Sequence, residues 1–420
     1  MILDKLNKKL IEVVANRAAK KGIQIDKEIL SQINFEMNDD ESHGDYSTSC
    51  ALKLAKTFSM NPREVAESLI EDLTLPSIKS ITVEGAGFIN VFLTRNEKSI
   101  LLKKIVKLGS DWGKNEKNKG KILVEFVSSN PTGPLHVGHG RGAVLGMALS
   151  NLLENSGYQV TKEYYVNDAG RQISILTSSI LIKAYIENFD IDGMYEGSYI
   201  YGLAEEFLKK HGKVDIDLKS EDLSDDKEKA LDQISEYFQK NHSNAWEAAK
   251  NYSVTSILDT IRQELHSFDI VHDSWFHESS LGAIRDLTSD LSKSLSAIKN
   301  SGHTFSKDDA IWFKTTEFKD DKDRVLLREN GEPTYYLTDV GYHKNKIDRG
   351  YDLCINVFGA DHHGYIARLT AAFDVMKNKK QEIEFMLYQL VNLYEEGNKK
   401  TMSTRRGEFY SLENLRKELG

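Results

Sequence analysis

Two histidines, His136 and His139, stand three residues apart at the start of a helical pattern, among Gly133, Gly138, Gly140 and Gly142. A β-rich apolar run precedes them at residues 122–127. Between run and helix lies the turn segment Ser128-Ser129-Asn130-Pro131-Thr132-Gly133-Pro134. Strand, glycine-rich turn and helix in this order present backbone N–H groups to an anion at a helix N-terminus. Imidazoles at that point can donate hydrogen bonds to the oxygens that gain charge during in-line attack on the α-phosphorus of ATP. Such chemistry rests mostly on positioning and electrostatic stabilisation. Taken alone, an HxxH pair reads first as two structural histidines or as metal ligands. Its surroundings reverse that order.

The acidic residues are the second clue. Glu125 lies on the first predicted strand, five residues before Asn130, and Asp339 lies four after Tyr335. Carboxylates repel a triphosphate, so on its pocket walls they make sense beside a bound cation. A guanidinium wants planar carboxylate partners, and an aromatic such as Tyr335 can cover it. The competing reading pairs Glu125 with a lysine of the same sheet and lets Asp339 cap a helix.

These residues need elements to hold them. Residues 159–166 read as a second strand, leading into Asn167-Asp168-Ala169-Gly170-Arg171-Gln172 and a helix to about residue 189. Residues 190–270 are helical and acidic in patches, and read as an insertion between the two halves of the sheet. Strands follow at 310–315 and 324–328, with a hairpin signal at Asn330-Gly331. Next come a helix from about Val340, a buried-type strand at 352–358 ending in Gly359-Ala360-Asp361-His362-His363-Gly364, and a helix at 365–376. A last apolar strand at 385–393 runs toward Met402-Ser403-Thr404-Arg405-Arg406-Gly407. Strand–helix alternation predicts a doubly wound parallel sheet, α/β in class. Ligands there bind at the carboxyl ends of strands, near the switch point. Each marked loop follows a predicted strand, so the four converge on one crevice.

Residues 1–110 read as a separate small α/β module. It opens with an amphipathic helix carrying Leu3, Leu6, Leu10, Val13 and Val14 near one face. Residues 35–46 are polar and loop-like, and Asn61-Pro62 is a helix start. Lys8, Lys9, Lys20 and Lys21 suit either phosphate contact or a solvated face. Residues 109–120 are a linker, and the second domain runs from 120 to 420.

At 420 residues, two or three domains are expected at about 150 residues each. Hydrophobic content of 40% with 28% charged residues describes an ordinary globular chain. A net charge of −9 excludes a uniformly basic nucleic-acid binder, though not a basic face. No apolar run approaches the ~18 residues of a membrane span, and no signal peptide stands at the start. Two distant cysteines, Cys50 and Cys354, fit a reducing compartment and exclude a cysteine-rich zinc site, so a cytoplasmic protein without zinc is expected. Of five prolines, Pro131 and Pro134 fall in the turn before the histidines, which marks that loop as rigid.

Asn130 to His139 resembles the HIGH signature of class I aminoacyl-tRNA synthetases, and Met402 to Gly407 resembles their KMSKS signature, about 265 residues later. Together with VEFVSSN, NDAGRQ, DKDRVLLRENGEPTYYLTDVGYH and GADHHGY, the pattern is similar to that of arginyl-tRNA synthetases. SHGDYSTSCALKLAK, NPREVAESL and VEGAGFINVFL resemble that family's N-terminal domain. The resemblance covers nearly the whole chain. It implies a Rossmann-type catalytic domain, with L-arginine, ATP bearing Mg2+ and tRNA(Arg) as partners. Arginyl-adenylate and pyrophosphate would form first. The arginyl group would then pass to the 3′ end of the tRNA with release of AMP, and the protein would be a monomer. It implies that His136, His139, Ser403 and Arg405 are catalytic. Glu125, Ser128, Asn130, His136, Tyr335 and Asp339 would bind arginine. Pro134, Gly138, His139, Gly359, Asp361, His363, Met402 and Ser403 would bind ATP. Residues 1–110 would touch the outer corner of the tRNA, and arginine activation would need bound tRNA.

Three departures accompany the resemblance. Both lysines of KMSKS are missing from Thr401-Met402-Ser403-Thr404-Arg405. The position three before the first histidine, where some relatives place a compensating lysine, is Gly133. Lys399, Lys400, Arg405 or Arg406 must then supply the charge. The family's helical anticodon-binding domain is absent before Gly420, which implies a fragment or truncated form. Three other readings are a synthetase for another amino acid, a small nucleotidyltransferase sharing the HxGH loop, and a chain that binds arginine or tRNA without charging it.

Overall fold

The computed structural model describes residues 2–115, 118–189, 191–395, 398–400, 405–407 and 409–419. The chain forms two compact units, Met1–Gly113 and Lys114–Gly420. In the first, the amphipathic helix Ile2–Lys20 buries Leu6, Leu10, Val13 and Val14. Its neighbours are a four-stranded antiparallel sheet and the helices Cys50–Phe58 and Pro62–Ile70. Asn61 accepts from the Arg63 N–H, so the Asn-Pro pair starts its helix as the local chemistry dictates. The stretch read as a loop at 35–46 contains two short strands' worth of pairing, with Glu36 opposite Ser47 and Met37 opposite Tyr46.

The second unit is built on five parallel strands: β1 (Lys121–Glu125), β2 (Gln159–Val166), β3 (Ser274–His277), β4 (Leu353–Gly359) and β5 (Glu382–Tyr388). Their spatial order is β5-β4-β1-β2-β3, so the winding reverses between β1 and β4. Helices α1 (Val137–Asn155) and α2 (Arg171–Tyr185) follow β1 and β2. The core joins Ile122, Val124 and Phe126 to Tyr164, Val166, Ile355 and Val357. Gly146 of α1 makes the helix–strand contact possible, because a Cβ there would lie 2.2 Å from the Phe126 ring.

Two sequence expectations are corrected here. The helical stretch, α3 (Ser198–His211), α4 (Lys227–Asn241) and α5 (Ser243–His266), lies between β2 and β3. Both strands belong to one half of the sheet, so it does not separate the halves. It packs against α2, whose Ile175, Leu176, Ile180 and Leu181 are buried. The strands Ala310–Phe313 and Arg324–Leu327 leave the main sheet and pair antiparallel, with Thr304–Lys307 added at the edge. β3 escapes the periodicity argument because four half-buried residues, Ser-Trp-Phe-His, carry too little pattern.

The helix α6 (Tyr335–Asp348) starts five residues earlier than its pattern suggests, because the Thr334 side chain accepts from the Leu337 N–H. Asp339 is therefore inside the helix and caps nothing. α6 lies over a polar row at the centre of the sheet. Glu125 is in register with Asn356 on β4 and with Glu163 on β2, and all three are buried. Lys346, wholly buried, donates to Glu125 Oε2 and Asn356 Oδ1, each at 2.6 Å. Glu163 receives Arg349 bidentately, Tyr342 Oη at 2.8 Å and Ser274 Oγ at 2.8 Å. Burial alone would raise the Glu163 carboxyl, but Arg349 and Lys346 hold it below its usual range. Glu125 therefore pairs with a lysine from the covering helix and not from the sheet.

A buried carboxylate left without its cation is costly, so Lys346→Met should destabilise the chain by about 3–5 kcal/mol in urea unfolding. Adding Glu125→Gln should recover most of that loss. Simple additivity of the two substitutions would contradict a coupled pair.

Candidate active site

The carboxyl ends of β1 and β4 open into a cavity of about 930 Å3. Its lining includes Glu125, Ser128, Asn130, His136, Gly138, His139, Asp339, Gly359 and Asp361, so nine of the expected residues come together. A smaller cavity of about 340 Å3 shares Asn130, His136 and His139 with it and adds Pro134, Gln172, Tyr195 and Arg405. Tyr335 is outside both linings and two-thirds exposed, and His363 is outside too, with His362 lining in its place. Met402 and Ser403, with Thr401 and Thr404, lie outside the described residues.

The loop after β1 is held in an unusual conformation. Val127 has φ 71° and Ser128 φ 42°, a left-handed pair that includes a β-branched residue. Hydrogen bonds fix it. Phe126 C=O accepts from the Ser128 N–H at 3.1 Å and lies 3.2 Å from His272 Nε2. Ser128 Oγ donates to Glu125 Oε1 at 3.1 Å and accepts from the Tyr165 N–H at 3.1 Å. Asn130 Nδ2 donates to Gln172 Oε1 at 2.8 Å, which ties the loop to α2.

His136 is the N-cap of α1. Its Nδ1 accepts from the Gly138 N–H at 3.1 Å, and His139 Nδ1 accepts from the His136 N–H at 3.2 Å. A nitrogen that accepts carries no proton, so in both neutral rings the hydrogen sits on Nε2. Burial pushes both imidazoles down, His139 to about 3 with the neighbouring His136 adding to the effect. The rings stack with centroids 3.9 Å apart. Two neutral Nε2–H donors thus stand at a helix N-terminus, an arrangement suited to phosphate oxygens.

The segment preceding His136 is anchored from two further sides. The Leu135 N–H donates to the buried Glu264 carboxylate of α5 at 2.9 Å. Leu135 C=O accepts from the Leu412 N–H at 2.9 Å, and the Val137 N–H donates to Tyr410 C=O at 3.1 Å. Chain beyond the second signature therefore pairs with the first. Arg405 faces the smaller cavity, its guanidinium 5.4 Å from the Tyr195 ring centroid, and its C=O accepts from the Glu196 N–H at 2.9 Å.

The acidic wall divides in two. Glu125 is neutralised by Lys346. Asp339 has no hydrogen bond or ion pair to its carboxylate among the described residues. Burial, then the neighbouring Glu278 charge, pushes its carboxyl up to about 7, with Glu125 adding and Arg368 and Lys346 opposing. Glu278 accepts from Tyr165 Oη at 2.5 Å and is itself raised by burial. An unmatched carboxylate with a second one nearby is a place for a cation.

Sequence reasoning missed Glu278, Tyr165, Gln172 and the set Tyr342, Lys346 and Arg349. The last three fall at helical spacing after Asp339, a polar stripe that was readable once the helix was placed. Gly359 also gains a reason: a Cβ there would lie 2.4 Å from Asp361 Oδ1, so a larger residue would push the Asp361 carboxylate out of its present place.

Comparison with known proteins agrees with this geometry. The profile described as "tRNA synthetases class I (R), catalytic domain" matches residues 99–419, and "Arginyl tRNA synthetase N terminal domain" matches residues 2–93. The chain is 39% identical to the arginine–tRNA ligase of Legionella pneumophila strain Paris, covering 98% of this chain and 72% of that one. It is 40% identical to the arginine–tRNA ligase of Psychrobacter cryohalolentis, covering 91% and 66%. The arginyl-tRNA synthetase of Thermus thermophilus shares its fold, with a TM-score of 0.65 at 21% identity, covering 100% of this chain and 69% of that one. In a chain whose first signature loop and Gly359–Asp361 turn already line one cavity at the sheet's switch point, these likenesses are decisive: it belongs to the arginyl-tRNA synthetases of class I.

Proposed function

We propose that this chain joins arginine to tRNA(Arg) in two steps at the larger cavity. The observation that carries the reading is the cavity's double character. One side of its lining offers a carboxylate with no partner among the described residues, and another offers two neutral imidazole N–H donors at a helix start. A cationic amino acid and an anionic nucleotide fit together there.

In the first step a carboxylate oxygen of arginine attacks the α-phosphorus of ATP in line, and the bond to the β-phosphate oxygen breaks. Arginyl-adenylate and pyrophosphate result. His136 and His139 donate from Nε2 to oxygens whose charge grows in the transition state. They do so without giving up a proton, since their tautomers are set by backbone N–H groups. Asp339, with Glu278 beside it, holds the guanidinium, and Ser128 and Asn130 hold the α-amino and carboxylate end. Tyr335 lies one helical turn before Asp339 and closes over the guanidinium. Gly138, Gly359 and Asp361 receive the adenosine. ATP brings Mg2+ on its phosphates; among the described residues no group of three acidic, histidine or cysteine side chains would hold the ion separately. Arg405 supplies the cation that the missing signature lysines would give. In the second step a terminal ribose hydroxyl of tRNA attacks the arginyl carbonyl carbon and AMP leaves. Residues 2–93 meet the outer corner of that tRNA, and this work belongs to the cytoplasm.

ATP–pyrophosphate exchange with tRNA present tests the reading: arginine should drive it. Exchange driven by another amino acid and not by arginine overturns it. Arg405→Ala should lower the exchange rate by about 10²–10³-fold while arginine affinity stays the same, as loss of a transition-state donor does. A full rate would remove Arg405 from the mechanism. Asp339→Ala should weaken arginine binding far more than ATP binding in calorimetry, and equal losses would count against the guanidinium assignment.

The raised Asp339 carboxyl also sets a stability test. Folding holds its proton up to about pH 7, whereas the unfolded chain releases it near pH 4. The ionised carboxylate therefore costs stability increasingly from pH 4 to 7, and fully above 7. Asp339→Asn should raise the unfolding free energy of the ligand-free chain on the order of 1–3 kcal/mol at pH 8, with the gain fading toward pH 4. Saturating arginine should stabilise the native chain at pH 8 and the variant much less.

A further inference from the structure

His343 is the one residue of the cavity wall whose polar atom is both buried and unused among the described residues. It lies one turn after Asp339 on α6 and is 2% exposed. Its Nδ1 is 2.8 Å from the Asp339 backbone C=O. A carbonyl can only accept, so Nδ1 carries the hydrogen and Nε2 keeps a bare lone pair. Nε2 is buried and has no partner, although the residue lines the large cavity. Burial, helped by the Lys346 charge, pushes the imidazole down to about 3, so the ring stays neutral at physiological pH.

Buried acceptors almost always have a partner, and an orphaned one is costly. Here the neighbours cannot provide it. Glu125 accepts, Asp339 accepts once ionised above about pH 7, and the Lys346 ammonium is taken by Glu125 and Asn356. The wall therefore offers acceptors and no free donor among these groups. A guanidinium is its complement, with five N–H donors in a fixed fork and no acceptor.

We propose that His343 Nε2 accepts a guanidinium N–H of the bound amino acid, and that His343 is thereby a specificity-determining residue for arginine. This rests on the arginine reading and extends it from charge to hydrogen-bond parity. The carboxylate of Asp339 selects for a cation. His343 selects for an N–H at a fixed place, and turns away a side chain that puts an oxygen there, such as the ureido group of citrulline.

Calorimetry on the 420-residue chain tests this with His343→Phe, which keeps a ring and loses the acceptor, and His343→Gln, whose amide oxygen can stand near the Nε2 position. His343→Phe should weaken arginine about 10- to 100-fold, leave ATP affinity within about twofold, and narrow the ratio of arginine to citrulline affinity. His343→Gln should restore most of the arginine affinity. A His343→Phe protein that binds arginine like the native chain, or that loses ATP equally, overturns the proposal. A second measurement needs no variant. In 15N-histidine NMR of the native chain, the bare Nε2 resonance of His343 should move on adding arginine and stay in place on adding ATP alone. If the native chain binds arginine and that resonance does not respond, the His343 assignment fails while the function stands. If it binds no arginine, the function itself fails.

Discussion

Everything at the site depends on three buried polar residues lying side by side across a parallel sheet. Asn356, Glu125 and Glu163 share one row over β4, β1 and β2. Such a row is unstable in an apolar layer and must be neutralised by whatever covers it. Helix α6 and its C-cap do so with Tyr342, Lys346 and Arg349, spaced along one face. The helix is thereby fixed in rotation and register over the switch point. Once it is fixed, Asp339 and His343 are delivered to the cavity and cannot turn away.

That constraint explains why two carboxylates near one substrate behave differently. Glu125 is structural in charge, since Lys346 cancels it, and it also grips Ser128 across the strained turn. Asp339 sits on the same helix as Lys346 but, among the described residues, pairs with no cation. Burial, with the Glu278 charge nearby, raises its carboxyl to about 7. The anion side follows the same economy of parts. The backbone of α1 takes both histidine Nδ1 atoms as caps, which leaves both Nε2–H groups for a ligand. The loop bearing them is tied to α2 by Gln172, to α5 by Glu264 and to the C-terminal segment through Leu412 and Tyr410, so elements far apart in sequence share responsibility for one pair of donors.

The parts nearest a sequence motif were the most legible. Residues 159–166 read as a strand and are one, because alternation and length agree there. The turn before His136 and its helix were legible because glycine, proline and capping chemistry act locally. The covering helix was harder. Thr334 as N-cap moves its start ahead of the apolar pattern, and this removes the capping alternative for Asp339 and leaves it on the cavity wall, where the resemblance placed it. Tyr335 was expected over the guanidinium, yet it lies outside both cavity linings. The turn at residues 360–365 brings Asp361 and His362, not His363, to the lining. Gln172 lay in a marked loop without a role of its own, and Glu278 had no local signal at all.

The sequence by itself determined the strand–turn–helix units that begin at β1, β2 and β4, the anion-binding turn with its two histidines, the family, and the residue types available for a cation. Those follow from short-range rules, in which a residue's neighbours along the chain set its conformation. Only the tertiary structure decided which charges cancel. Lys346 stands 221 residues from Glu125 and Arg349 stands 186 from Glu163. No spacing along the chain reveals that one acid is matched and another is left open. In a low-dielectric interior that difference separates a neutralised carboxylate from one left open to a cation.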